Sequence, residues 1–423
     1  MRDIGVVLEH GSRLVSDFVS PAWMPSSLRE AANAGDATAE DLASGAAWAH
    51  LLAKLQAAST TVLSDPASRN PVDMAAGLRH LLVLLWIGID DALRRDTGSV
   101  LAVRPSNTDA VFKWGMDCPD CLYTGAGLRG GDAYRLWGNR GTARYVGLQT
   151  MAGMASTANV LLDEIELDQN GDFEIILSAE KHDGNWMEIA DDATQLVVRH
   201  FFYDWNREVA SSLSIEKLSG PPRTPRADPI DARAAMARQL VALGDFVEAN
   251  LDFFLQFATP ERPNTFNPPF DGTAMGAAAE NRPVIGSFRL GPDEALVVEV
   301  EPPRGLYWSY SIGNPWWETI DYARHQSSLN GHQAEIDADG ALRVVIAHED
   351  PGIANWLDTA GHGEGPVILR CVRTENAPVP ETRVVPFAEV GDAFPAASRR
   401  ISPEERSTAM DRRASGVAGR FVR

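Results

Sequence analysis

Cysteine is scarce in this chain, with three residues in 423. Cys118, Cys121 and Cys371 are too few for the disulfide framework of a small secreted protein. Residues 1–10 contain no continuous apolar stretch of signal-peptide length. The longest apolar run, Leu81 to Ile89, is far shorter than the roughly 20 residues that cross a membrane. We therefore expect a cytoplasmic protein with no membrane partner.

Positive charge is also in short supply. The chain has 38 Lys and Arg residues against 58 Asp and Glu residues, which gives a formal net charge of −20 and a pI of about 4.9. A nucleic-acid-binding surface needs clustered positive charge, so we expect no nucleic-acid partner. The acidic balance favours a soluble protein and disfavours an anionic membrane surface.

Several motifs that carry known chemistry are missing. The sequence has no glycine-rich phosphate loop, no Gly-x-Ser-x-Gly nucleophile turn and no zinc-protease helix motif. The two histidines closest in sequence, His325 and His332, are seven residues apart on a predicted loop, unlike the paired ligands of a metal-binding strand. We therefore expect neither a metal nor another cofactor.

The segment Cys118-Pro119-Asp120-Cys121 has the spacing of a redox pair. It precedes a predicted strand, whereas a redox pair needs a helix N-terminus that lowers the pKa of one thiol. No second cysteine pair is present to complete a zinc site. The spacing alone therefore does not predict redox chemistry.

What the sequence does contain is a repeat. Asn185-Trp186 returns as Asn355-Trp356, and each copy follows a turn and a strand and precedes a strand that ends in arginine. The turns are 168–171 and 337–340, and the arginines are Arg199 and Arg370; the offsets between copies are 169 to 171 residues. Further upstream, Asn139-Arg140-Gly141 before one aromatic strand matches Pro303-Arg304-Gly305 before another. The pattern predicts a fold built twice.

Helical patterns flank these strands. Residues 38–62, 70–95 and 228–257 have the caps and apolar spacing of helices. The segments around the repeated motifs instead consist of short runs in which apolar residues alternate, separated by turns. We predict an α+β, mainly β protein with two related jelly-roll-like β-sandwich domains and a long bridging helix. The predicted segments are a helical region (1–108), a first sandwich (109–218), a linker and bridging helix (219–272), a second sandwich (273–390) and an Arg-rich, solvated or partner-seeking tail (391–423).

The second half also resembles a known family. The sequence from the strand at Ile285, through Tyr307-Trp308-Ser309-Tyr310, to Asn355-Trp356-Leu357 and Arg370 resembles the domain of unknown function 1214 family. Residues 138–149, together with Asp120 and Tyr123, resemble the sequence that accompanies this domain in many members. The resemblance implies two β-rich, jelly-roll-like halves with helices beside them, and it implies little about chemistry.

The candidate catalytic residues are Asp120, Tyr123 and His362. Asp120 and Tyr123 enter the first strand three residues apart, with Asn139 and Arg140 one strand away. A carboxylate, a phenol and a guanidinium that converge would suit acid–base chemistry on a small polar group. His362 lies in a glycine-rich loop after the second Asn-Trp motif and is the best general-base candidate of that half.

The candidate binding residues are polar groups at the repeated turns and a dense aromatic patch. They are Asn139, Arg140, Arg304, Tyr307, Trp308, Trp316 and Trp317. The arginines could bind an anion or a carbonyl oxygen, and the aromatics could line an apolar pocket or stack on sugar rings. The structural alternatives are surface turns and core packing; for Arg199 and Arg370 we expect ion pairs with loop carboxylates.

Two functions remain open at this point. The first is a metal-independent enzyme that acts on a small, partly hydrophobic molecule by hydrolysis or elimination. The alternative is a non-catalytic carbohydrate- or small-ligand-binding protein with an aromatic platform. A homo-oligomer is compatible with either. An enzyme predicts an enclosed site with a carboxylate or histidine of shifted pKa, and a platform predicts an open aromatic groove.

Overall fold

The computed structural model describes residues 37–95, 103–105, 111–153, 155–219, 229–258 and 262–421. The chain divides into two compact units. The first comprises residues 1–65, 81–99 and 222–256, and the second comprises residues 66–80, 100–221 and 257–423. The helices are α1 (Ala39–Ala43), α2 (Ala46–Ser64), α3 (Pro71–Arg95), α4 (Pro229–Ala258), α5 (Val390–Ala393) and α6 (Pro403–Phe421). The three predicted helical regions are confirmed: 38–62 corresponds to α1 and α2, 70–95 to α3, and 228–257 to α4. Residues 220–228, near the start of the predicted linker, lie outside the described residues.

In the first unit, α4 packs closely against α2 and α3 at two glycines. A Cβ at Gly244 would meet Leu51 and Lys54 of α2 at 3.1–3.2 Å, and one at Gly88 of α3 would meet Leu243 of α4 at 2.5 Å. The α2–α4 contact also carries charge, because Lys54 Nζ lies 2.5 Å from Glu248 Oε2. Small residues at these positions let the helix backbones approach one another.

One helix meets the length and composition of a membrane span. Residues Pro71–Asp90 of α3 are long and apolar enough, and one third of that window is buried inside the protein. Core helices of soluble proteins pass the same test, so this finding is weak by itself. The expectation of no membrane partner stays a prediction.

The second unit contains two β-sandwiches, as the sequence predicts. The first consists of a five-stranded sheet of order β1-β2-β8-β4-β5 and a four-stranded sheet of order β7-β6-β3-β9. The second consists of two four-stranded sheets of orders β10-β16-β12-β13 and β15-β14-β11-β17. The strands are β1 (Arg104–Pro105), β2 (Cys121–Gly127), β3 (Ala133–Asn139), β4 (Tyr145–Ala152), β5 (Ala155–Leu161), β6 (Asp172–Ser178), β7 (Trp186–Glu188), β8 (Gln195–Phe201), β9 (Ser212–Ser219), β10 (Val284–Arg289), β11 (Glu294–Val300), β12 (Gly305–Ile312), β13 (Ser328–Asn330), β14 (Leu342–Ala347), β15 (Trp356–Asp358), β16 (Glu364–Thr374) and β17 (Glu381–Pro386).

The two sandwiches are related strand by strand. In each sandwich, one four-stranded sheet contains a parallel pair, which is β6 with β7 in the first sandwich and β14 with β15 in the second. Every other pairing in these two sheets is antiparallel. Each sandwich has its own apolar core, built from strands of both of its sheets. The fold class is therefore as predicted, whereas the division into five segments stays a prediction.

The repeated asparagines hold equivalent loops. Asn185 Nδ2 donates to the carbonyls of Glu166 and Glu174, and its Oδ1 accepts from the Glu166 amide at 2.8 Å. Asn355 does the same with Glu335 and Arg343, and its Oδ1 accepts from the Glu335 amide at 2.9 Å. Each asparagine side chain thereby hydrogen-bonds backbone groups that the short parallel strand after it does not pair. The two asparagines of the Asn-Trp repeat therefore make equivalent loop contacts in the two sandwiches.

The repeated arginine turns, in contrast, are not equivalent. The ladders place Tyr145 opposite Phe201 and Gly147 opposite Arg199, and they place Tyr307 opposite Val372 and Ser309 opposite Arg370. Tyr145 therefore corresponds to Tyr307. Arg140 precedes its tyrosine by five residues and Arg304 precedes its own by three. The Arg-Gly match between residues 139–141 and 303–305 therefore suggested an alignment of the two sandwiches that the strand register does not support.

The carboxyl-terminal segment is ordered rather than a solvated tail. Arg406, Arg413 and Arg420 recur every seven residues on one face of α6, and each is only 7% exposed. Arg406 donates to Asp350, Gln326 and the Ile353 carbonyl. Arg413 donates to the Tyr322 carbonyl at 2.5 Å, and its guanidinium lies 4.5 Å from the ring centre of Trp205. The expectation of a frayed or partner-seeking terminus is wrong. The high arginine content suggested a solvated segment, whereas the seven-residue spacing of three arginines places them on one buried face of a helix.

Truncating the two asparagines tests the repeat. We expect Asn355→Ala to lower the free energy of unfolding by about 2–3 kcal/mol and Asn185→Ala by about 1 kcal/mol, because each leaves backbone groups unpaired but only Asn355 is buried. Urea unfolding measures both values. Asn206→Ala, at an exposed loop position, is the control and should change stability by less than about 0.5 kcal/mol. Equal effects at all three positions would contradict the assignment.

Candidate functional site

Residues of both sandwiches meet in one buried group, which we name the junction group. Its apolar part contains Cys118, Cys121, Tyr145, Leu161, Phe201, Ala278, Tyr307 and Val372. The rings of Tyr145, Phe201 and Tyr307 stack in sequence, with ring centres 4.7 Å apart at each step. Because Tyr145 and Tyr307 are equivalent in the two sandwiches, the group lies where the two repeats face each other.

Asp120 is the polar centre of the junction group and is fully buried. Its Oδ1 accepts from Trp205 Nε1 and from Asn330 Nδ2, both at 2.7 Å, and its Oδ2 accepts from the Tyr307 hydroxyl at 2.6 Å. A buried carboxyl group is costly unless its oxygens are hydrogen-bonded, and three donors here fulfil that need. Trp205 belongs to the first sandwich, and Tyr307 and Asn330 belong to the second.

Tyr123 joins the junction group through Cys118. The Cys118 amide donates to the Tyr123 hydroxyl at 3.2 Å, and Cys118 Sγ lies 3.3 Å from the Tyr307 hydroxyl. Burial raises the pKa of both tyrosines well above the usual value. The structure therefore brings Asp120, Tyr123 and Tyr307 together as a set of protonated phenols around a carboxyl group. A phenol with a raised pKa is a poor base near neutral pH.

His362 lies in a second place, where it pairs with Asp73. His362 Nδ1 is 2.5 Å from Asp73 Oδ1, and both side chains are nearly buried. Trp316 Nε1 donates to the backbone carbonyl of Asp73 at 2.7 Å. Asn70 Nδ2 donates to the Gly361 carbonyl at 3.0 Å, which ties the loop of His362 to the start of α3. We name Asp73 and His362 the dyad.

An open depression of about 250 Å³ borders the dyad, in place of the enclosed site expected of an enzyme. Asp73 itself contributes to its wall. The other lining residues are Pro66, Ala67, Arg69, Asn70, Arg289, Gly363 and Glu364. Arg289 Nε lies 2.5 Å from Glu364 Oε2, so the wall contains an ion pair as well as an apolar part. This surface could hold a small molecule that has both characters.

Three predicted binding residues lie at turns, away from both groups. Asn139 Nδ2 donates to the Asn170 carbonyl and to Asp172. Arg140 forms a bidentate pair with Asp163 at 2.9 and 2.7 Å. Arg304 is 61% exposed and pairs with Glu301 and Glu375. Among the described contacts, none of the three shares a partner with Asp120 or His362.

Arg199 and Arg370 do not form the ion pairs that we expected. Arg199 donates to the Gly276 carbonyl at 2.5 Å, and Arg370 donates to Ser311 Oγ at 2.5 Å and to the Met116 carbonyl. The expectation of loop carboxylates is wrong because the acceptors that the two arginines meet are backbone carbonyls and a hydroxyl. Arg370 consequently places a buried positive charge near Cys118 and Tyr307.

The aromatic patch is core rather than platform. Tyr307, Trp308, Trp316 and Trp317 are each no more than 7% exposed. The Trp308 amide donates to the Tyr203 hydroxyl at 3.1 Å, and the Trp317 carbonyl accepts from the Met116 amide at 2.7 Å. Side chains buried in this way cannot stack on a sugar ring in this conformation.

Several residues of the two groups were missed from the sequence. Asp73, Trp205 and Asn330 carry no local signal, since each acts through a partner that is distant along the chain. Asp73 in the first turn of α3 reads as a helix-dipole residue. Only a prediction of contacts between distant segments could have found these residues. Within the described residues, no group of three or more His, Cys, Asp or Glu side chains could hold a metal ion.

The fold and the junction group define a protein with two β-sandwiches that pack together around the buried carboxyl group of Asp120. A family described as a protein of unknown function (DUF1214) matches residues 292–376, and the chain belongs to that family. An uncharacterized protein from Burkholderia cenocepacia is 31% identical in a crystal structure that covers 83% of this chain and 99% of its own, with a TM-score of 0.76. A protein from Vibrio parahaemolyticus is 13% identical over 72% of this chain and 100% of its own, with a TM-score of 0.42. No curated protein matches the chain.

His200 gives the stability of the fold a pH dependence that can be measured. It is fully buried beside Phe201 in β8, and burial lowers its pKa from 6.5 to about 4. The unfolded chain therefore binds a proton that the folded chain does not, and stability present above pH 6.5 is lost as the pH falls towards 4. We expect a loss of up to about 3 kcal/mol by urea unfolding.

His200→Gln should flatten that part of the pH profile. His332→Gln is the control, because the His332 side chain is 55% exposed. The interpretation fails if both variants retain the slope of the wild type between pH 6.5 and 4.

Proposed function

We propose that this protein is a metal-independent enzyme that acts on a small, partly hydrophobic molecule by hydrolysis or elimination, with His362 as the general base. The observation that carries the proposal is the 2.5 Å contact between His362 Nδ1 and Asp73 Oδ1 at the wall of an open depression. Of the three predicted catalytic residues, His362 is the one whose partner, Asp73, and whose neighbour, Gly363, line a space that could hold a substrate.

The dyad has the geometry of an oriented base. A carboxylate that accepts from Nδ1–H fixes the ring and its tautomer, so Nε2 is left to accept a proton. In hydrolysis that proton comes from water, and in elimination it comes from a carbon next to the leaving group. Asp73 is held in turn by its position in α3 and by the bond from Trp316 to its carbonyl. Both partners are thus fixed before a substrate arrives.

The walls of the depression support a substrate of mixed character. Pro66 and Ala67 offer apolar surface, and Arg69 and Arg289 offer positive charge. A molecule with a short apolar body and a carboxylate or carbonyl group would match both parts. Arg289 would leave its ion pair with Glu364 and bind the anionic group of such a substrate.

The remaining expectations accompany this proposal. Cys118, Cys121 and Cys371 are free and buried, in keeping with a proposed cytoplasmic location. The net charge of −20 supports a small-molecule partner rather than a nucleic acid.

Ester turnover tests the role of His362. We use 4-nitrophenyl acetate and 4-nitrophenyl butyrate as probes and follow 4-nitrophenol release at constant pH. A general base contributes about 10²–10⁴-fold, so we expect His362→Asn to lower kcat/KM by at least about 100-fold. Asp73→Asn should lower it by a smaller factor, because His362 keeps its place but loses the orienting charge.

His332→Asn is the matched control, since its side chain is exposed and outside the depression. Thermal unfolding of each variant shows whether the fold is kept. The proposal is wrong if folded His362→Asn hydrolyses both esters as fast as the wild type.

A further inference from the structure

The turn that carries Asp120 also carries two cysteines. The Cys121 amide donates to the Cys118 carbonyl at 2.9 Å, which closes a four-residue turn with Pro119 and Asp120 at its centre. The ends of such a turn lie within about 7 Å of each other, and a disulfide needs Cα atoms about 4.4–6.8 Å apart. The backbone therefore already holds the two cysteines at a separation that a disulfide can bridge.

The two thiols differ in chemical character. Burial by itself would raise the pKa of Cys118, but the hydrogen bond from Cys121 and the charge of Arg370 lower it, against the opposing charge of Asp120. Burial and the neighbouring Cys118 raise the pKa of Cys121 well above its usual value. A thiol that loses its proton more readily than an ordinary cysteine, beside a thiol that keeps its proton, is the arrangement of a dithiol that can be oxidised.

This arrangement replaces what a helix would provide. The Cys-Pro-Asp-Cys spacing alone does not predict redox chemistry, because no helix begins at Cys118. In the structure, Cys118 Sγ lies 3.3 Å from the Tyr307 hydroxyl, and Arg370 supplies buried positive charge nearby. Both come from the second sandwich, more than 180 residues away in sequence.

We propose that Cys118 and Cys121 form an oxidisable dithiol that a peroxide converts to a reversible disulfide. The Cys118 thiolate attacks one oxygen of hydrogen peroxide, the O–O bond breaks, and Cys118 becomes a sulfenic acid with loss of one water after protonation. The Cys121 sulfur then attacks the sulfenic sulfur, the S–O bond breaks, and the Cys121 proton leaves with the hydroxide as a second water. Two thiols and one peroxide thus give one disulfide and two waters.

Cys371 provides an internal comparison. It is also fully buried, and burial raises its pKa to about 12, so it should remain a thiol. Neither cysteine of the dithiol belongs to the His362–Asp73 dyad, so the oxidation and the proposed enzyme activity can fail separately.

Intact-mass analysis of the full-length folded protein tests the dithiol. The folded protein is treated with hydrogen peroxide, the peroxide is removed, and the protein is then denatured, blocked with iodoacetamide, weighed and mapped by proteolysis. We expect the wild type to lose two alkylatable thiols, to show a Cys118–Cys121 link in one peptide, and to regain both thiols with dithiothreitol. Cys371→Ser should behave in the same way with respect to the link.

The single variants separate the two roles. Cys121→Ser should leave a Cys118 sulfenic acid that dimedone labels, and Cys118→Ser should show neither label nor link. The mapping of the wild type does not depend on the folding of any variant. The proposal is overturned if the wild type keeps all three thiols under peroxide, if the link includes Cys371, or if Cys118→Ser still forms the dimedone adduct.

Discussion

One buried carboxyl group, that of Asp120, links the two β-sandwiches to each other. Its three donors come from Trp205, Tyr307 and Asn330, at separations of 85, 187 and 210 residues. Carboxyl oxygens that are taken out of water must be hydrogen-bonded, so the two sandwiches can pack in this way only when all three donors are present. The stacked rings of Tyr145, Phe201 and Tyr307 surround this centre with apolar contacts. The duplication thus produced two similar halves whose equivalent tyrosines face one shared group.

The carboxyl-terminal helix adds a second link that uses the same tryptophan. Trp205 donates to Asp120 through its ring nitrogen, while Arg413 and Arg420 of α6 lie over its ring at 4.5 and 4.4 Å. Gly416 lets this helix approach closely, since a Cβ there would lie 2.7 Å from Trp205. Arg406 of the same face reaches the second sandwich and lies over Trp356, the tryptophan of the repeated motif. Burial lowers the pKa of Arg413 to about 10, and the charge of Asp120 opposes that shift.

The features that sequence analysis predicted are the local ones. Turns, caps and the Asn-Trp repeat are each determined within about 20 residues, because the backbone groups that they satisfy belong to the same loop. The strand register is set by packing across the sheet, so the short string shared by residues 139–141 and 303–305 gave a wrong alignment. Asp120, Tyr123 and Tyr307 were selected for their chemistry and do meet, whereas Asn139, Arg140 and Arg304 are engaged by nearby partners. Asp73, the partner of His362, lies 289 residues away and has no local signature.

A double-mutant cycle on Asp120 and Tyr307 tests most directly whether the junction joins the two sandwiches. The free energies of unfolding of Asp120→Ala, Tyr307→Phe and the double variant are measured in urea and compared with the wild type. If the carboxyl group and the phenol stabilise the fold through each other, the double variant should be more stable than the sum of the single effects predicts, by at least about 1 kcal/mol. Effects that add within about 0.3 kcal/mol would show that the two sandwiches do not depend on this contact.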